Sequence, residues 1–408
     1  MLAAFVLAAS TVRAEMTDPF AQVGQMIQAG DLARADRTLR RLADDDRYRL
    51  RAAQTLHQLH QRRDFTLPPD ERAIERAMAR VGTRMHRYES ANFVVLSDCD
   101  AAWTRSKISL LERTRHQYLR FVDQIGMPIL PSEFKLLCVM FSDHDQYSQF
   151  ASNEDKVNAP WAGGYFATQA NRVVLFDDRQ SPAIRQAHAR LDAHETQVAE
   201  TRERAKAAQN SGWTAMADAL TEAADRLEAD VAAGRLRLDE HAERLASAKT
   251  IHEAVHLLAY NTRLQSLGKV YPFWVSEGLA TAFETAQPEH AFGPRHQYHE
   301  REDSFDRLVR EGRALPLRQV VSVPAGLEGA DELGDAIYSQ SYILFTHLAR
   351  TSPDALRRYL EELNSAPSRQ FDPQFHVALF EKHFGRIAAL ERTLTRGRGT
   401  AGVASGQP

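Results

Sequence analysis

The residues best able to do chemistry are His252-Glu253-Ala254-Val255-His256. Two histidines four apart on a helix share one face, so both imidazoles can reach a single cation. The surroundings favour a helix. Ala254, Val255, Leu257, Leu258 and Ala259 are apolar, and neither Pro nor Gly interrupts residues 249–261. Zinc suits two neutral imidazoles and one carboxylate, with a fourth position left for water. Glu253 then sits where it would take that water's proton as general base and hand it to a leaving amine. The plainer alternative is an exposed helix with two hydrogen-bonded histidines.

A third ligand follows within reach. Glu277 lies in the segment WVSEGLATAFE, residues 274–284. Trp274, Leu279 and Phe283 supply one apolar face, while Glu277, Ala280 and Glu284 fall on another. Pro272 favours an extended approach before this helix. A helix–loop–helix of this length can return Glu277 to the two histidines, which makes it the expected third ligand. Glu284, two turns on, is expected behind the ligands or at the surface. His290, His296 and His299 lie in a loop with Pro and Gly, without metal-binding spacing, and read as solvated residues.

These helices need a frame. Residues 18–81 read as helices, with Leu32, Ala35, Leu39 and Leu42 at helical spacing. Residues 92–97 (NFVVLS) and 134–141 (FKLLCVMF) read as strands around a helix over 103–125. Gly163-Gly164-Tyr165 and residues 172–176 (RVVLF) form a hairpin signature. A small mixed sheet therefore precedes the histidine motif. Residues 181–248 are rich in Ala, Arg, Glu and Asp. Ile184, Leu191 and Val198, then Trp213, Leu220 and Leu227, recur every seven residues around a break at 210–212. This reads as a coiled-coil-like helical insertion, with a third run through Leu238 and Leu245 into the histidine helix. It is either a solvated insertion or an arm for self-association or substrate gating.

The expected organisation is thus an N-terminal helical segment over 15–88, a catalytic domain over 89–395 with the insertion at 181–248, and a disordered tail over 396–408. A hydrophobic content of 43% and a net charge of −3 are those of a soluble globular chain. No nucleic-acid partner is expected, and no apolar run is long enough for a membrane span. Residues 1–14 (MLAAFVLAASTVRA) resemble a short signal peptide ending at a signal-peptidase site, although a basic n-region is missing. A periplasmic or secreted location is expected, with the cytoplasm as the alternative. After export Cys99 and Cys138 could pair; the other reading is two buried free thiols.

HEAVHLLAYN followed by PFWVSEGLATAFE resembles the gluzincin clan of metallopeptidases, and most nearly the bacterial family called domain of unknown function 1570, with its peptidase-MA-like fold. The resemblance implies a helix-rich α+β, zincin-like domain with ligands His252, His256 and Glu277, catalytic Glu253, and a peptide or protein substrate. It also implies an oxyanion donor on a downstream helix. Tyr338 is the candidate and Tyr342 the reserve, each with simple packing as its alternative. By the same resemblance Gly163, Gly164 and Tyr165 lie near a strand edge that would take up the substrate backbone. The GxMEN motif of aminopeptidase-type gluzincins is absent, which favours an endopeptidase. A catalytically silent zinc-site protein of the cell envelope, acting as a scaffold, is the competing reading. Another zinc hydrolase chemistry, such as amide cleavage in a cell-wall component, is a third.

Overall fold

The computed structural model describes residues 18–396 and 398, apart from 63, 83, 158–162, 326–330 and 368–370. The signal-peptide reading of residues 1–14, and nearly all of the tail expected over 396–408, fall outside the described residues. The chain divides into two compact units, Met1–Phe65 and Thr66–Pro408.

The first unit holds three helices, α1 (Pro19–Gln28), α2 (Leu32–Ala43) and α3 (Arg49–His60). Asp18 and Asp31 cap the first two by accepting from Phe20 and Arg34 amides, which satisfies otherwise orphaned N–H groups. Leu32, Ala35 and Leu39 are buried, as their spacing predicted. The other helix expected in the N-terminal segment, α4 (Glu71–Val81), belongs to the second unit, where Ile74 and Ala77 pack on a β-sheet.

That sheet is mixed and has five strands: β1 (His86–Glu89), β2 (Phe93–Ser97), β3 (Leu136–Phe141), β4 (Gly164–Ala167) and β5 (Arg172–Phe176). The order is β1-β2-β3-β5-β4. The three central strands run parallel and each edge strand runs antiparallel to its neighbour. All residues of β2, β3 and β5 are buried, as strands covered on both faces must be. One face carries Val94, Leu96, Val139 and Val174 against α4 and α6 (His144–Phe150). The other carries Phe93, Val95, Cys138 and Val173 against α5 (Ala101–Gln124) and the main core. Cys99 and Cys138 are both free and buried, so the pairing considered above is not made. Burial pushes the Cys99 thiol up to about 12.

The insertion is a two-helix hairpin of α7 (Pro182–Asn210) and α8 (Thr214–Asn261). It differs from expectation in two ways. The separate third run does not exist: α8 continues unbroken for 48 residues and contains the histidine motif. At 1.5 Å per residue it is roughly 72 Å long. The seam also lies elsewhere. Ile184 and Val198 are buried on α7, but on α8 the buried stripe is Ala217, Ala224 and Val231, whereas Trp213 is 64% exposed. Gly212, at φ 79°, makes the turn, so Trp213 precedes the helix instead of belonging to it. Alanines at the seam let the helices approach closely. Gly234 meets Leu191 so tightly that a Cβ there would stand 2.9 Å from it. Arg202 with Asp225 and Glu228, and Arg235 with Asp192 and Glu195, clip the two helices together outside the seam.

The remainder is helical: α9 (Phe273–Thr281), α10 (His299–Arg310), α11 (Leu317–Ser322), α12 (Asp331–Thr351), α13 (Pro353–Ser365), α14 (Pro373–Phe384) and α15 (Ile387–Thr395). The protein is therefore a helix-rich α+β structure with a small mixed sheet. Among the described residues no helix is long and apolar enough to cross a membrane.

Candidate metal centre

Two helices bring the three predicted ligands together. On α8, Ile251, Ala254, Val255 and Leu258 are buried in the main core, which leaves His252 and His256 facing away from the sheet. On α9, Trp274 is fully buried among Tyr359, Phe380 and Phe384 and fixes that helix against α13 and α14. Gly278 then allows α9 to lie directly on the backbone of α12, since a Cβ at this position would stand 2.7 Å from the Ser341 carbonyl oxygen. Glu277, the neighbouring residue, is held by this contact.

The donor atoms form a nearly equilateral triangle. His252 Nε2 lies 3.2 Å from His256 Nε2 and 3.0 Å from Glu277 Oε2. His256 Nε2 lies 3.4 Å from the same carboxylate oxygen. A tetrahedral zinc with bonds of about 2.0–2.2 Å needs edges of roughly 3.3–3.6 Å, so the observed triangle is within a few tenths of an ångström of what the ion requires. Among the described residues this is the one group of His, Cys, Asp or Glu side chains with such convergence.

The charges point the same way. Glu253, Glu277 and Glu284 surround the two imidazoles in a buried site. Burial alone would push His252 down, but hydrogen bonds to Glu277 and Glu284 hold it well above the ordinary histidine range. Burial would likewise raise Glu277, yet the two histidines keep it far below the usual carboxylate range. A pocket that draws a proton onto an imidazole this strongly favours positive charge at its centre, and a divalent cation between the three donors would supply it. The donor set therefore fits a zinc ion.

Glu284 is the residue that spacing left undecided, and it is not at the surface. It is 8% exposed and its Oε1 accepts from His252 Nδ1 at 2.9 Å. With a metal bound, this bond would fix the tautomer that presents Nε2 to the ion. Its position seven residues after Glu277, on the face a continued helix would share, was the available signal. Glu253 reaches the same pocket, where burial raises its carboxyl and the two histidines oppose the rise. Tyr338, on α12, packs its ring 4.9 Å from Phe273 and 6.3 Å from His252. The negative charge of Glu277, then burial, push its phenol well above the usual tyrosine range. Tyr342, the reserve candidate, is fully buried and its hydroxyl accepts from the Tyr298 amide at 2.9 Å, so it serves packing. His290, His296 and His299 are exposed, as expected.

The predicted edge lies beside the centre. Among the described residues β4 pairs only with β5, and it runs next to α8. A Cβ on Gly163 would stand 2.6 Å from Lys249 Cδ, one turn before Glu253, and one on Gly164 would stand 2.5 Å from Leu175. The glycines therefore serve close approach between the edge strand and the histidine helix. Phe166 lies 5.2 Å from Tyr260, one turn beyond His256. Lys249, missed by spacing arguments, is ion-paired with Asp178 at 2.7 Å.

A profile of the family described as Protein of unknown function (DUF1570) matches residues 246–368. The match covers the end of α8 with its histidine motif, all of α9, Glu284 and Tyr338, and its description assigns no activity. No curated protein and no solved structure matches the chain.

Proposed function

We propose that this chain is a zinc-dependent peptidase of the gluzincin type, with a zincin-like domain that cleaves within peptide chains. The observation that carries the reading is the donor triangle of His252, His256 and Glu277 with the Glu253 carboxylate beside it. Zinc held by those three residues would supply Lewis acidity, polarising a carbonyl oxygen and acidifying a water. The chain's own groups do the rest. Glu253 takes a proton from the attacking water and returns it to the leaving amine nitrogen, and burial moves its carboxyl toward the range suited to that exchange. Tyr338 keeps its proton and donates a hydrogen bond from its hydroxyl to the oxyanion as the carbonyl carbon becomes tetrahedral. The outer edge of β4 offers backbone N–H and C=O groups to an extended peptide.

Metal analysis of purified protein should find about one zinc per chain, and His256→Ala should remove it. Glu253→Gln should keep the metal and lose hydrolysis of a fluorogenic peptide library. Normal cleavage by this variant sinks the mechanism. A second reading, a metal-holding but catalytically silent envelope scaffold, is favoured by the hairpin tip, where Trp213 and Met216 are exposed. Zinc-loaded protein that is inactive across the library, yet self-associates through the hairpin, would favour it.

A further inference from the structure

We infer that Arg301 is a positioning residue of the metal centre, orienting the ligand His252 through Glu284 while its guanidinium lies against Tyr338. The inference rests on the metal reading above.

The Glu284 carboxylate carries the argument. It follows the end of α9, where its own amide still donates to the Thr281 carbonyl at 3.1 Å. It is buried, and a buried carboxylate needs a paired charge to remain ionised. Arg301 provides it in a two-point grip, Nε donating to Oε2 at 3.0 Å and Nη2 to Oε1 at 3.2 Å. A planar fork fixes the plane of the carboxylate as well as its charge. Oε1, the oxygen that accepts from Nη2, also accepts from His252 Nδ1. The orientation of the ligand imidazole is therefore set from α10.

The same guanidinium lies 5.7 Å from the centre of the Tyr338 ring, over its face. Its own place is set from α12. The Tyr298 amide, just before α10, donates to the Tyr342 hydroxyl, one helical turn from Tyr338. Tyr342 thus anchors the start of α10, α10 carries Arg301, and Arg301 touches both Tyr338 and the partner of His252. This gives Tyr342 a role in the site although it faces no reacting atom.

The test is zinc affinity, measured by chelator competition on full-length Arg301→Gln, Arg301→Lys, Glu284→Gln and the Arg301→Gln/Glu284→Gln double variant. Each Gln variant should bind zinc about 10–100-fold more weakly than wild type. The double variant should lose no more than the weaker single variant, because both changes break one relay. Arg301→Lys should fall between, since an ammonium keeps the charge but not the fork. Wild-type affinity in Arg301→Gln, or losses that add in the double variant, would overturn the inference while leaving the metal centre intact. Should Arg301→Gln not fold, Arg301→Lys decides alone: weaker binding supports the relay and wild-type binding refutes it. A wild-type chain that takes up no zinc would sink the metal reading itself, a different outcome from either.

Discussion

Replacing Gly278 by Ala should damage both the fold and the proposed metal centre, through one contact. The new Cβ would stand 2.7 Å from the Ser341 carbonyl oxygen and 3.1 Å from Phe345 Cβ, where ordinary contact starts at 3.4 Å. The first neighbour is backbone in the middle of α12 and cannot rotate aside. Helix α9 must therefore retreat by about 0.7 Å, or tilt, and Glu277 is the adjacent residue. Overpacking of this kind costs about 1–3 kcal/mol. Alanine's better helix propensity returns about 1 kcal/mol. A net loss of up to about 2 kcal/mol is expected in urea unfolding of the metal-free protein. Metal geometry tolerates about 0.2 Å, so a shift of several tenths at Glu277 should also weaken zinc binding by about tenfold or more. Gly24, in α1, is the control. Nothing lies within 4 Å of a Cβ placed there, so Gly24→Ala should be neutral or stabilising. A Gly278→Ala protein with wild-type stability and zinc affinity would refute the claim that this contact sets the place of Glu277.

Two further expectations follow from single side chains. Tyr338→Phe should lower kcat for peptide hydrolysis by about 100–1,000-fold with zinc content unchanged, and an unimpaired variant would remove Tyr338 from the mechanism. His376 is buried and stacked on Phe371 at 4.2 Å, and burial pushes its imidazole down to about 4. Its folded value lies below its unfolded one, so its contribution is fully present above about pH 6.5 and is lost as pH falls toward 4, by at most about 3 kcal/mol. Urea titrations at pH 7.5 and 4.5 should show His376→Leu losing less stability than wild type, and equal losses would refute the assignment.

Much of the candidate metal centre was legible because its parts are local. The four-residue spacing places His252 and His256 on one face whatever the rest of the chain does. Glu277 could be reached by distance along the chain. Glu284 was on the correct face, but only the tertiary structure shows that the chain after α9 turns it onto His252 Nδ1. Arg301 left no local trace, because its grip on Glu284 depends on where α10 is pinned. The strand β1 was passed over because its residues, HRYE, are charged or half-polar on an exposed edge, where hydrophobic alternation has no reason to appear. Gly278 stood in the quoted motif without an evident purpose, and the closeness of α12 supplies one.

The insertion shows most clearly why helix boundaries resist sequence reading. Two packing demands with different periods are written along one uninterrupted helix. Its first half packs against α7, and a seven-residue repeat of Ala217, Ala224 and Val231 makes that seam. Nearer the sheet the buried residues become Ala242, Ala246, Thr250 and Ala254, spaced by four, because α8 there packs on α5 and the sheet. The change of period looks like a new helix in the sequence. Yet Ala, Leu, Glu and Arg dominate throughout, and no Pro stands between 214 and 261, so nothing stops the helix. His252 is two residues from both Thr250 and Ala254, which puts it on roughly the opposite side of the helix from that stripe. The core contacts that hold α8 against the sheet therefore aim the ligand imidazoles outward at α9.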